Sequence, residues 1–387
     1  MTTKTPPLFT PQFVLLLFTT AIIGVSFSAY FLLPKYLSVV LDADAGTIGG
    51  ISAVSLVASV LCMPLAGVQM DRRGRRLFVI IGCVLFAAAC AGFLLVDRVG
   101  PLLWSLRVVQ GIGWPLFYLA LSTLATDIAP RERMGQAIGM FGAVMISTNA
   151  LGPALAEWGA NLFGWSLVFW ATVVGSLIAA ALACLIPERH RPQSHAATGT
   201  MGDLLKRPGM ARILTATLLA GLTFSSMFTF YQPWALACGY ERVAAYLAAF
   251  SACAMGVRIT LGGVADRLGR LRVAKIMLLP YIFAPLSLIW LPQLGLILTG
   301  ALLGITHGIF FPALNAVAMD HAPADARGKA MAAYNGAFNI GFASGSYALG
   351  YVALATSFPT IFVIAAVSCA AGFVLLMGAR GVGATAA

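Results

Sequence analysis

Long unbroken apolar stretches, separated by short polar breaks, dominate this chain. About twelve of them approach or exceed the roughly 20 residues that an α-helix needs to cross a bilayer. They run over 10–36, 46–68, 77–96, 101–127, 136–160 and 165–186, and then over 211–237, 243–262, 273–291, 295–320, 329–355 and 359–379. These are spans 1 to 12 below. Membrane strands would alternate apolar with polar residues over about 10 positions, which these runs do not do. The chain is 60% hydrophobic and 10% charged, whereas a soluble domain carries about 25% charged residues. The expected class is an all-α membrane protein embedded in a lipid bilayer.

The polar breaks carry the positive charge. With the N-terminus placed in the cytoplasm, nineteen of the 24 Lys and Arg residues fall on the cytoplasmic side, as the positive-inside bias requires. Arg72, Arg73, Arg75 and Arg76 crowd one gap. An arginine at the bilayer centre costs roughly 2.5–3.5 kcal/mol, so these four mark a loop. The net charge of +11 is therefore read as loops facing anionic lipid, with no nucleic-acid partner. Both termini are placed inside. The first span is too long for a cleaved signal peptide. Residues 187–210 are polar and form a linker between a 1–186 half and a 211–387 half, and its His190 and His195 are expected to be solvated. The cysteines show no metal-ligand spacing, and no metal or cofactor is expected.

The two halves repeat one another. The phrase GVQMDRRGRR begins at Gly67, and GGVADRLGRL begins at Gly262, 195 residues on. TDIAPRERMGQA (126–137) returns as MDHAPADARGKA (319–330) at an offset of 193, pairing Asp127 with Asp320 and Gly135 with Gly328. Spans 1 and 7 share a tyrosine just before a proline, Tyr30 with Pro34 and Tyr231 with Pro233. Several matches at near-constant spacing indicate two related six-helix bundles in parallel orientation, an arrangement that places a transport site near the midplane.

With these motifs the chain resembles the major facilitator superfamily over essentially its whole length. Gly67, Asp71, Arg72, Gly74, Arg75 and Arg76 look like the family's loop motif A, and Gly262, Asp266, Arg267, Gly269 and Arg270 look like its second copy. Arg107, Gln110 and Gly111 in span 4 resemble motif B of proton-coupled exporters. Gly152-Pro153 in span 5 resembles the core of the antiporter motif C, with Thr148, Ala156 and Glu157 where that motif carries further glycines. The resemblance implies two pseudo-symmetric six-helix bundles working by alternating access. It also implies a conformational latch on the cytoplasmic side made of Gly67, Asp71, Gly74, Arg75, Asp127, Gly262, Asp266, Gly269, Arg270 and Asp320. Physically, a carboxylate following span 2 suits an arginine or a helix N-terminus, and Gly67 and Gly262 would admit a neighbouring helix.

Ionisable residues inside spans are functional candidates by default. His307 lies near the middle of span 10 and matches Trp114 in the repeat. Histidine titrates near neutrality without help, so His307 is a coupling candidate, or a neutral histidine bonded across helices. Arg107 lies in the outer half of span 4, where the motif B likeness supports a role in coupling. Glu157 sits near the outer end of span 5, where the expectation is a side chain that snorkels to water. Arg258 precedes the second loop phrase and could brace it.

In the architecture that the resemblance implies, spans 1, 4, 7 and 10 line the centre. Their polar and aromatic residues are Tyr30, Trp114, Tyr118, Phe228, Tyr231, Gln232, Trp234, His307 and Phe311, joined by Asn149 on span 5 and by Asn335 and Asn339 on span 11. An aromatic wall with few charges suits a small amphipathic organic substrate, although any one such aromatic serves equally as packing. No phosphate-binding loop or nucleophile motif is present, so neither an enzyme nor an ATP pump is expected. The expected function is proton-driven efflux in a bacterial inner membrane, with the proton gradient as energy source. The alternatives are a proton-linked importer of a metabolite or siderophore, and a non-transporting sensor or assembly factor. Forty glycines make GxxxG spacings unavoidable, so they indicate no dimer and a monomer is expected.

Overall fold

The computed structural model describes residues 7–188, 201–261, 263–323 and 326–378. Among the described residues are twelve long helices: α1 (Pro11–Val39), α2 (Ala45–Arg73), α3 (Arg76–Leu95), α4 (Pro101–Ile128), α5 (Met134–Phe163), α6 (Trp165–Cys184), α7 (Met210–Ala237), α8 (Ala244–Leu261), α9 (Arg270–Ser287), α10 (Leu291–Asp320), α11 (Arg327–Ala355) and α12 (Phe358–Met377). Ten of them are long and apolar enough to span a membrane by length and composition. The other two are diluted for visible reasons. Arg270, Arg272 and Lys275 occupy the first turns of α9. Asn335, Asn339 and a run of glycines interrupt α11.

Two helices are broken at matching places. In α1 the backbone tightens into a 3-10 turn at Tyr30–Leu32, ahead of Pro34. In α7 the helix stops at Phe230 and resumes at Tyr231–Ala237, which contains Pro233. Proline has no N–H to give to the carbonyl four residues back, so each helix loses a rung there.

The chain forms two compact units, one of Met1–Tyr36 with Val57–Ser194 and one of Leu37–Leu56 with His195–Ala387. Each unit packs by the same scheme. In the first, α1 packs on α5 and α6, and α3 packs on α4 and α6. In the second, α7 packs on α11 and α12, and α9 packs on α10 and α12. The seam between the first and fifth helix of each unit is closed by small residues. A Cβ on Gly152 would strike Ser28, and one on Gly345 would strike Ser225. Ser28 Oγ donates to the Thr148 carbonyl at 2.6 Å, and Thr229 Oγ1 shares a hydrogen bond with Ser346 Oγ at 3.1 Å. Close backbone approach with hydroxyl cross-links is how helices associate where lipid removes the hydrophobic drive.

Candidate functional site: two loop clusters and two aromatic centres

The first loop forms because Gly74 adopts φ +91° between α2 and α3, a backbone region that costs other residues roughly 1–2 kcal/mol. The turn drives Arg75 inward, and its side chain is 3% exposed. Its guanidinium reaches Asp71 Oδ1 at 3.4 Å and Asp127 Oδ2 at 3.7 Å. A third carboxylate closes the cluster. Glu188, just beyond α6, accepts the backbone N–H of Arg75 and, at 3.3 Å, that of Arg76. These are the free donors at the start of α3, so Glu188 caps the positive end of that helix. Sequence reading places Glu188 in the linker without a role. Its only signal is an acid directly after the Pro187 that ends span 6.

The second loop repeats the backbone and changes the chemistry. Gly269 has φ +92°, the match of Gly74. Arg270 Nη1 meets Asp320 Oδ1 at 2.8 Å, with side chains 39% and 38% exposed. Asp266 lies in the short helix Val264–Leu268, and its side chain, like Gly262 and linker residues 189–200, falls outside the described residues. Gly67 differs from expectation. No described heavy atom comes within 4 Å of the position its Cβ would take, so no helix packs against it here.

Glu157 requires a correction. Far from snorkelling, its carboxylate is 7% exposed and pairs with Lys35 Nζ at 2.7 Å. Lys35 lies inside α1. The pair joins α1 to α5 next to the Gly152-Pro153 step. Arg107 is half-buried, and its Nη1 donates to Gln110 Oε1 at 2.7 Å within α4. Gln110 Nε2 in turn points to Cys90 Sγ at 3.9 Å. Arg107, Glu157 and His307 thus sit in three separate environments and do not form one cluster.

His307, 7% exposed, is boxed by aromatic rings from its own helix and four others. Their centroids lie at 4.7 Å (Phe224), 5.1 Å (Phe311), 5.7 Å (Phe338), 6.0 Å (Tyr281) and 6.2 Å (Phe250). Its repeat mate Trp114 stacks on Tyr118 at 4.9 Å and on Phe27 at 5.8 Å, and Tyr118 leans on Phe141 at 5.9 Å.

The remaining cavity candidates divide. Tyr30, Tyr231 and Gln232 are buried, where the sequence reading expects a cavity face. Tyr30 is closed in by Phe86, Phe93 and Phe169, and Tyr231 stacks on Tyr246 at 4.1 Å. Trp234 donates its indole N–H to the Leu288 carbonyl at 2.7 Å. Trp114, Tyr118, Asn149, Phe228, Phe311, Asn335 and Asn339 are half-buried, and Asn335 Nδ2 donates to the Met331 carbonyl at 2.9 Å.

The model of the Major Facilitator Superfamily matches residues 14–299 and 292–384. The chain belongs to that superfamily. It is a multi-pass membrane protein. This superfamily member is 31% identical over 183 residues to the multidrug resistance protein B homolog of Mycobacterium tuberculosis, a match covering 44% of this chain and 32% of that protein. The chain therefore spans about a third of the length of the first relatives it matches. Longer matches reach multidrug resistance protein 2 of Bacillus subtilis, 23% identical over 73% of this chain and 74% of that one. The MFS-type transporter YhhS of Escherichia coli is 26% identical over 86% and 84%. Among solved structures, the nucleoside transporter NupG superposes with a TM-score of 0.78 at 16% identity, covering 96% of this chain and 100% of that one. An auto-inhibited POT family peptide transporter gives 0.74 at 14%, covering 96% and 98%. Those two likenesses concern the fold.

Proposed function

We propose that this transporter exports a small amphipathic organic compound in exchange for protons, by alternating access in a bacterial inner membrane with both termini cytoplasmic. The observation that carries the coupling is His307. It is the one histidine within the twelve helices, it stands mid-helix, and it is held among aromatic rings. An imidazole is the side chain that gains and loses a proton near neutral pH, and intramembrane ionisable residues mark transport pathways. The similarity to multidrug resistance proteins supports an amphipathic cargo and the outward direction. The positive charge of the loops supports the orientation. The clusters around Arg75 and Arg270 are proposed to act as the cytoplasmic latch, and the half-buried aromatics Trp114, Tyr118, Phe228 and Phe311 to contact cargo.

A second reading keeps the coupling and reverses the direction. It is favoured by the Lys35–Glu157 pair, which occupies the stretch of α5 where an antiporter motif carries glycine. One experiment separates the two. Purified protein is placed in liposomes of known orientation under an imposed pH gradient, with an amphipathic fluorescent dye as probe. Export driven by inward protons, abolished by His307→Gln with insertion intact, is the expected outcome. Full proton coupling in His307→Gln would remove His307 from the mechanism, and proton-driven uptake would establish the second reading.

A further inference from the structure

The interior of the second unit holds polar atoms that packing alone does not explain. Tyr246 of α8 and Tyr281 of α9 are fully buried, Ser251 of α8 is 2% exposed, and His307 of α10 is 7% exposed. Among the described residues, the hydroxyls of Tyr246, Ser251 and Tyr281 and the Nδ1 of His307 have no hydrogen-bond partner. Each unmet polar group of this kind costs about 1–3 kcal/mol, and ordered water is the usual remedy in protein interiors. Tyr334 of α11 is equally buried but gives its hydroxyl to the Phe311 carbonyl at 2.8 Å, so burial alone does not strand a tyrosine here.

The four groups stand on α8, α9 and α10, with α10 packed against both of the others. Tyr281 is 6.0 Å from His307, ring to ring. Phe250, the neighbour of Ser251, is 6.2 Å from His307. Tyr246 stands about one turn further toward the start of α8 and is close enough to Tyr281 to interact with it electrostatically. Arg258 from α8 and Tyr281 from α9 face His307, while Tyr246 from α8, Tyr334 from α11 and Cys369 from α12 face Tyr281, and α7 contributes Phe224. The repeat supplies the contrast. At the offsets of 195 and 193 residues, the first half of the sequence has Ile51, Leu56, Phe86 and Trp114 where the second half has Tyr246, Ser251, Tyr281 and His307. The second half therefore has a hydroxyl at three places where the first has none, while His307 Nδ1 has a counterpart in the unpartnered Trp114 Nε1.

We infer that Tyr246, Ser251, Tyr281 and His307 Nδ1 hold a short file of ordered water inside the second unit, and that this file conducts protons to and from His307. Hydroxyls and water both donate and accept, so a proton can enter at one end as another leaves at the other. The inference rests on the reading of His307 as the coupling residue.

Two measurements test it, neither needing a known cargo. X-ray hydroxyl-radical footprinting of the full chain in detergent labels buried side chains that touch bound water. Tyr246 and Tyr281 should be modified about tenfold faster than Tyr334, whose hydroxyl is occupied. Equal rates at all three would overturn the water file. In the second, a rapid acid jump is followed by time-resolved infrared absorption, with the His307 band assigned by its loss in His307→Gln. Protonation should slow by about tenfold or more in Tyr281→Phe, which keeps the ring and deletes only the relay hydroxyl. It should stay within about twofold of the unaltered chain in Tyr334→Phe. Equal effects of the two variants would overturn the relay while leaving coupling at His307 standing. Absence of any His307 band would overturn the coupling reading and the relay together, with the footprint still reporting on the water.

Discussion

The two loop arginines stand on nearly identical backbones and live in opposite conditions. Gly74 and Gly269 turn with φ within a degree of one another, yet Arg75 is sealed behind Asp71 and Asp127, whereas Arg270 meets Asp320 at the surface. The same holds deeper in. Trp114 stacks on Tyr118 and His307 on Phe311 at 4.9 and 5.1 Å, and Tyr118 and Phe311 in turn meet Phe141 and Tyr334. Phe86 meets Phe117 as Tyr281 meets Phe310. Duplication preserved the packing frame, and the chemistry was then assigned to one side or the other. The first unit holds the buried charges of Lys35, Glu157 and Arg75, and the second holds His307.

The sharpest way to break this comparison is at the buried ion pair, whose position on α5 corresponds to Gly350 on α11. Lys35→Met removes the counter-ion of the buried Glu157 carboxylate, and should cost about 3–5 kcal/mol in thermal unfolding of the detergent-solubilised protein. Replacing both, as Lys35→Met with Glu157→Leu, should recover most of the loss, because a well-packed apolar pair avoids the desolvation of two ions. A double variant no better than the single would show that Lys35 and Glu157 are not each other's principal partners. Next in size is the arginine contrast. Arg75→Ala should destabilise by about 1.5–3 kcal/mol through lost charge-assisted hydrogen bonds, and Arg270→Ala by less than about 1 kcal/mol, as exposed pairs do. Equal melting shifts would erase the distinction between a sealed and an open cluster. The smallest difference is expected at the glycines. Gly74→Ala and Gly269→Ala should each cost roughly 1–2 kcal/mol for the backbone conformation. Gly74→Ala should cost the more, because its Cβ would press on the Glu188 carboxylate at 2.8 Å while the Gly269 position has no described neighbour within 4 Å.

Much of the fold was legible because spans announce themselves by length. The expected 101–127 and 165–186 became Pro101–Ile128 and Trp165–Cys184. The repeat was legible because loop glycines and charges tolerate little drift, and Gly74 and Gly269 show why. What could not be read was which side of each span faces protein. Helices that are apolar all round have no stripe to betray their inner face. Hence sequence reading sends Glu157 to the interface and aims Tyr30, Tyr231 and Gln232 at a cavity, whereas all four are buried. Glu188 was missed for a different reason. It acts on backbone N–H groups of residues 112 and 113 positions away, and no spacing encodes such a contact.

The missing rungs at Tyr30–Leu32 and at Phe230 have a mechanical consequence. A helix bends most readily where its ladder is interrupted, so α1 and α7 are each a long stiff rod joined to a short end piece, Leu33–Val39 and Tyr231–Ala237. Swinging either end piece strains one joint instead of a whole rod. Compliance is thereby concentrated at two proline-marked points, and the amides flanking them should be the first in each rod to trade hydrogen for deuterium.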